Sequence, residues 1–172
     1  QDLVLPPLTP TKMNITEYSI VIPVYNEFNS IPILYKAIRN VMDTLSQPYE
    51  IIFVNDGSAG EEIDHLLSLL DKNVSRIINL QKHCGQTAAL ATGFKEAQGN
   101  IVISMDGDLQ DDPRHIPDFI QKLQQGFDVV CGYRVNRKDK RDKIMLSKIG
   151  NFIQKIAFRT ELHDIACTYR AY

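Results

Sequence analysis

Five short apolar runs, spaced by segments of helical period and each ending in polar residues, most restrict what this chain can fold into. They are 19–24 (SIVIPV), 49–54 (YEIIFV), 76–80 (RIINL), 101–105 (IVISM) and 128–133 (DVVCGY). Between them, Ile31, Leu34, Ile38, Val41, Met42 and Leu45 fall on one helical face, with Asn29 or Ser30 as the cap. Ile63, Leu66, Leu67 and Leu70 mark a second helix. Residues 87–97 form a small-residue helix able to pack closely on a sheet, stopped by Gly99, and 116–123 a helix ended by Gly126. Continuously apolar strands alternating with helices predict a single, mostly parallel α/β sheet flanked by helices on both faces. Such sheets bind ligands outside the carboxyl ends of their strands. The polar clusters fall there: YNE after the first strand, NDGS after the second, DGDLQ after the fourth and YR after the fifth.

Composition narrows the classes. A chain of 172 residues, 44% hydrophobic and 23% charged, is one globular domain with a sizeable core. No apolar run approaches the ~20 residues of a membrane span. Residues 1–16, with three prolines, read as a flexible tail without the pattern of a secretory leader. Cys84, Cys131 and Cys167 have no metal-like spacing and read as small packing residues in a reducing, cytosolic compartment. The net charge of −2 is segregated: residues 134–159 hold nine Lys/Arg against two Asp, the remainder ten against nineteen acidic residues. That block fits an anionic partner (phosphate, nucleic acid or membrane surface) and equally a solvated helix face.

The stretch SMDGDLQDDP (104–113) carries four aspartates. Asp106 and Asp108, one residue apart at a strand end, are hard oxygen ligands suited to Mg2+ or Mn2+, which take one or two carboxylates plus substrate phosphates. Gly107 lets the backbone approach, and Gln110 offers a further carbonyl. The same run also fits a solvated acidic turn. Asp111, Asp112 and Pro113 read as the start of the next helix, acidic at its positive end. A dinucleotide fingerprint and a phosphate-loop motif are both missing. A phosphoacceptor receiver domain would place its acidic pair after the first strand, not the fourth.

The pieces IVIPVYNE, VNDGS, GQTAALATGF, SMDGDLQDDP, GYR and HDIACTYRAY, in this order, resemble the inverting family-2 glycosyltransferases. Within them the chain is most similar to the polyprenyl-phosphate glycosyltransferases, dolichyl- and undecaprenyl-linked, over about residues 18–172. The resemblance implies a Rossmann-like glycosyltransferase A-type fold over a catalytic domain at 17–172. It implies transfer of a sugar from a nucleotide diphosphate sugar to a polyprenyl phosphate at the cytoplasmic face of a membrane. Relatives continue with more helix and often membrane spans, so a truncated C-terminus is expected. Partners would be the nucleotide sugar, the polyprenyl phosphate and the membrane surface, with no nucleic acid. Two rival classes are a family-2 transferase that extends a saccharide and a non-catalytic nucleotide-sugar-binding module.

Residue by residue, the resemblance implies that Pro23, Tyr25 and Glu27 line the base and ribose pocket and that Asp56 accepts from the base. Asp106 and Asp108, with Gln110, would hold Mg2+ or Mn2+ on the diphosphate. Arg134, Lys143 and Ser147 would hold the acceptor phosphate. Asp164 would be the base if one is used, with Arg170 its positioning or phosphate partner; a structural ion pair is the alternative. Three positions depart from the family pattern: Asn55 for the first aspartate of DDGS, Gly107 for Ala, and Ala166 for Gly. His83 and His115 show no ligand spacing and read as ordinary polar residues. The helix at 144–159 is basic and amphipathic, fitting either the membrane interface or packing on the protein.

Overall fold

Every residue of the first strand, Tyr18–Val24 (β1), is buried, which places it in the middle of a sheet covered on both sides. The computed structural model describes residues 16–27, 29–58, 66, 68–132 and 167–172. After β1 come α1 (Ile31–Met42), β2 (Tyr49–Asn55), β3 (Ser75–Asn79), α2 (Gln86–Glu96) and β4 (Ile101–Ser104). A 3-10 turn (Pro113–His115) leads into α3 (Ile116–Gln124), and β5 (Val130–Cys131) and β6 (Arg170–Ala171) complete the sheet. The strand order is β3-β2-β1-β4-β6-β5. β1 pairs in parallel with β2 and with β4, and β2 with β3. β6 runs antiparallel to both β4 and β5.

The two faces bury different sets. Ile20, Ile22, Val24, Ile51, Phe53 and Ile103 form one core with Ile31, Leu34, Ile38 and Met42 of α1 and Ile116, Phe119 and Ile120 of α3. Val21, Ile52 and Val54 meet α2 through Ala89, with Leu90 and Phe94 packed at its margin. The expected layering is observed. α2 lies so close that a Cβ on Gly93 would stand 2.3 Å from Val21 Cγ1.

Pro23 in a central strand would ordinarily remove a ladder bond. Here it does not. The Val21 carbonyl accepts from Met105 N, so alternate residues of β1 present their backbone groups to β4, while the Val24 carbonyl accepts from Asp56 on the β2 side. Pairing with β4 stops at Val21↔Ser104. The missing N–H of Pro23 therefore points where β1 and β4 have already parted.

Several expected boundaries move. Among the described residues the fifth strand is Val130–Cys131 rather than the whole of 128–133, and its partner there is the two-residue β6; Asp128 and Val129 are exposed, and Tyr133 lies outside the described residues. β6 separates it from β4 and went unseen in the sequence. Leu66, Ser68 and Leu69 are helical and Leu70 forms a bend, while Ile63 and Leu67 of the second expected helix lie outside the described residues. So do residues 1–15 of the expected tail and the amphipathic helix at 144–159. Among the described residues no helix is long and apolar enough to cross a membrane.

Candidate active site

The chain winds from β1 outward through β2 to β3, then returns to the other side of β1 as β4. The strand order reverses between β1 and β4, and such switch points are where open α/β sheets leave a crevice. The loops after β1, β2 and β4 meet there. They enclose a cleft of about 320 Å3 lined by Pro23, Val24, Tyr25, Glu27, Asp56, His83, Gln86, Asp106, Gly107 and Asp108. Every nucleotide-site residue expected from the sequence stands on its wall.

The β1 loop is shaped by Asn26 at φ 55°, a left-handed conformation that asparagine tolerates. Its N–H donates to Ser58 Oγ at 2.9 Å. Ser30 precedes α1 but does not cap it: its hydroxyl points back to the carbonyls of Glu27 at 2.8 Å and Gly107 at 2.6 Å. That proton ties the β1 loop to the acidic loop, a stronger demand than a helix cap.

At the end of β2, Asn55 is buried and bonded through both atoms of its amide. Its Nδ2 donates to the Ser58 carbonyl and to Asn79 Oδ1, and its Oδ1 accepts from Ser58 N. An aspartate could make neither donation, so the departure from DDGS is matched by Asn79 on β3. Asp56 lies behind the loop that follows β3. Oδ1 accepts from Cys84 N at 2.7 Å and Oδ2 from Gly85 N at 2.9 Å, while His83 Nδ1 lies 2.8 Å from Oδ2 and faces the Asp56 main-chain carbonyl at 3.3 Å. Gly57 makes this possible. Its φ is +78°, and a Cβ there would lie 2.3 Å from His83 N. Cys84 is exposed rather than packed, because its backbone, not its thiol, is what the loop uses.

The β4 loop answers how four aspartates coexist. Asp111 is buried and is not part of the helix start; its Oδ2 accepts from Asp106 N at 2.9 Å, folding the run on itself. Asp108 Oδ1 accepts from Gln110 N at 3.0 Å, and Leu109 between them takes φ 65°. Asp112 and Pro113 do begin the helical segment, with Asp112 accepting from Arg114 N. Asp106 and Asp108 remain at the cleft. The Glu27 carboxyl is pushed above its ordinary range, first by burial and then by the charges of Asp108 and Asp106. Three carboxylates repelling one another in a half-buried cleft are relieved by a cation. Asp106 and Asp108 are hard oxygen donors of the kind that serve an ion taking its other oxygens from a ligand. Gln110 is exposed and outside the cleft wall.

Two cleft residues were missed. Gln86, the first residue of α2, donates from Nε2 to Asp106 Oδ1 at 2.6 Å and reaches Thr168 Oγ1 at 3.4 Å. It is the second residue of the GQTAALATGF stretch, so its position was visible though its role was not. His83 stacks on Tyr25 with ring centroids 4.0 Å apart; no local signal marked it. Gln86 also lines a second hollow of about 180 Å3, with Thr87, Leu90, Ser104, Cys167, Thr168, Arg170 and Tyr172. Arg170 stands there, opposite the last residue of β4, its Nε donating to the Cys167 carbonyl at 2.8 Å. Arg134, Lys143, Ser147 and Asp164 lie outside the described residues.

A sheet covered on both faces, with a carboxylate pair and an aromatic wall at its switch point, defines an α/β domain with a polar cleft at its strand ends. The chain belongs to glycosyl transferase family 2, whose model matches residues 19–172. It is 38% identical over 160 residues to the undecaprenyl-phosphate 4-deoxy-4-formamido-L-arabinose transferase of Serratia proteamaculans, covering 92% of this chain and 49% of that protein. The corresponding transferase of Yersinia enterocolitica is 37% identical with the same coverage. The chain thus spans about half the length of the curated relatives it matches. Its fold is that of glucosyl-3-phosphoglycerate synthase from Mycobacterium tuberculosis, solved with Mn2+, UDP-glucose and phosphoglyceric acid. The TM-score is 0.70 at 17% identity, over 91% of this chain and 56% of that one.

Proposed function

We propose that this domain transfers a sugar, with inversion, from a nucleotide diphosphate sugar to a polyprenyl phosphate at the cytoplasmic face of a membrane, using Mg2+ or Mn2+. The observation that carries the donor half is the placement of Asp106 and Asp108 beside Glu27 on the wall of the switch-point cleft. The acceptor half rests on the undecaprenyl-phosphate transferases that match nine-tenths of the chain. A bound divalent ion would neutralise the charge that builds on the departing nucleotide diphosphate. Asp106 and Asp108 are the residues to hold it, with Gln110 as an outer partner. Gln86 keeps the Asp106 carboxylate oriented. Tyr25 and Pro23 form the wall for the base and ribose, and Asp56 with its loop closes the far side.

Arg134, Lys143 and Ser147 are proposed to grip the acceptor phosphate; arginine can do so bidentately, and lysine adds a point charge. That phosphate is already anionic near neutral pH, so little base strength is needed from Asp164. Arg170, beside the second hollow, would steady the acceptor or the diphosphate.

Calorimetric titration of UDP and GDP with Mn2+ and with chelator tests the donor half. Metal should tighten binding of the preferred nucleotide, and Asp108→Asn should erase most of that gain. Equal affinity with and without chelator would remove the metal from the reading. Nucleotide diphosphate release that ignores added polyprenyl phosphate would remove the acceptor.

A further inference from the structure

We infer that His83, not Asp56, is the residue that meets the base edge. Its Nε2 accepts the ring N–H of a base with an imide-type edge (uracil N3–H or guanine N1–H), while Asp56 fixes the imidazole from behind. This rests on the nucleotide reading above and names the group that would select the nucleotide.

Three observations carry it. First, Asp56 is covered: its two carboxylate oxygens already receive Cys84 N and Gly85 N, and the His83 ring lies against Oδ2, with Nδ1 2.8 Å away. Its side chain is 3% exposed against 54% for His83, so the histidine stands in front. Second, the tautomer is determined by its partners. Nδ1 faces the Asp56 carbonyl oxygen at 3.3 Å as well as Oδ2 at 2.8 Å. A carbonyl oxygen only accepts, so Nδ1 carries the proton. In the neutral ring Nε2 is then a bare acceptor. Third, the ring is held in place by stacking on Tyr25, 4.0 Å between centroids and 26° between planes, and both residues line the cleft. An acceptor fixed on a wall and backed by a buried carboxylate selects a donor. Cytosine and adenine present no ring N–H on that edge, so they are disfavoured.

The test is a chemical cycle on the intact protein in Mn2+. The tighter-binding of UDP and GDP is titrated beside its counterpart methylated on the imide nitrogen. Wild type should prefer the unmethylated nucleotide by about tenfold, the scale of one hydrogen bond with its desolvated partner. His83→Phe, which keeps the stack on Tyr25, should bind both alike. A variant that still discriminates would overturn the proposal and return the base to Asp56 or another group. Equal binding of both nucleotides by wild type would overturn it too. A second readout needs no variant: the imidazole 15N resonances should show Nδ1–H before nucleotide and a shifted Nε2 after it. An unmoved Nε2 on saturation refutes the contact. If wild type binds neither UDP nor GDP, the nucleotide reading fails and this one with it, a result unlike loss of discrimination alone.

Discussion

Gly57 shows how much one residue can decide. Its positive φ alone favours glycine, and the loop carrying His83, Cys84 and Gly85 presses on the place a side chain would fill. Gly57→Ala should therefore cost more than backbone strain alone, about 1–3 kcal/mol of stability. It should also weaken nucleotide binding, because the amides that hold Asp56 must retreat. Urea unfolding and nucleotide titration of the same variant would check both, and a variant as stable as wild type would show that the loop can move aside. Gly107 is different. A Cβ there would lie 3.0 Å from Glu27 Oε2 and 3.2 Å from Cδ1 of buried Ile31, both side-chain ends, so alanine needs only a shift of a few tenths of an ångström.

Among the elements, α2 depends most on small residues. Replacing Gly93 by Ala would ordinarily favour a helix by about 1 kcal/mol. Against that, the new Cβ meets Val21 Cγ1 at 2.3 Å and Val54 Cγ2 at 3.1 Å, both on fully buried residues of the sheet. Overpacking of this kind costs about 1–3 kcal/mol. The variant should thus be less stable than wild type despite better propensity, with a lower thermal midpoint. Because Gln86 begins the same helix, the change should also loosen Asp106, read as a smaller metal-induced gain in nucleotide affinity. The closing stretch CTYRAY is held by several links. Ser104 Oγ donates to the Thr168 carbonyl, Tyr169 hydroxyl to the Asp112 carbonyl and Gly132 N to the Tyr169 carbonyl.

Across the whole molecule, two carboxylates set opposite responses to pH. Asp112 is held down to about 2 by its hydrogen bonds from Arg114. A lowered folded value contributes stability above the unfolded pKa of 3.8, lost as pH falls through about 2. Glu27 is raised above its ordinary 4.5, so its contribution is present below that pH and lost as pH rises through its folded value. Asp112→Asn should flatten the loss of stability between about pH 4 and 2. Glu27→Gln should be more stable than wild type near neutrality, with the gap closing below about pH 4. Because Asp112 is partly exposed, its effect should shrink with added salt. Denaturant midpoints measured against pH check all three, and a Glu27→Gln variant less stable at neutral pH would contradict the repulsion assigned to that trio.

The sequence alone determined the class of sheet, its helical cover and the edge at which the polar clusters collect. Those follow from short continuously apolar runs alternating with segments of period 3.6, which are local. It also put Tyr25, Glu27, Asp56, Asp106 and Asp108 at one edge of the sheet, where they line one cleft, because strand ends in such a sheet share an edge. Only the tertiary structure decided the strand order that puts β1 beside β4, the short β6 that displaces β5, and the parting of strands at Pro23. It likewise decided which polar atoms are already spent. Asp56 is taken by amides 28 and 29 residues away, Asp106 by a glutamine 20 away and Asn55 by an asparagine 24 away. No periodicity encodes such pairings. They exist because the sheet brings distant loops to one edge, where each buried donor and acceptor must find a partner.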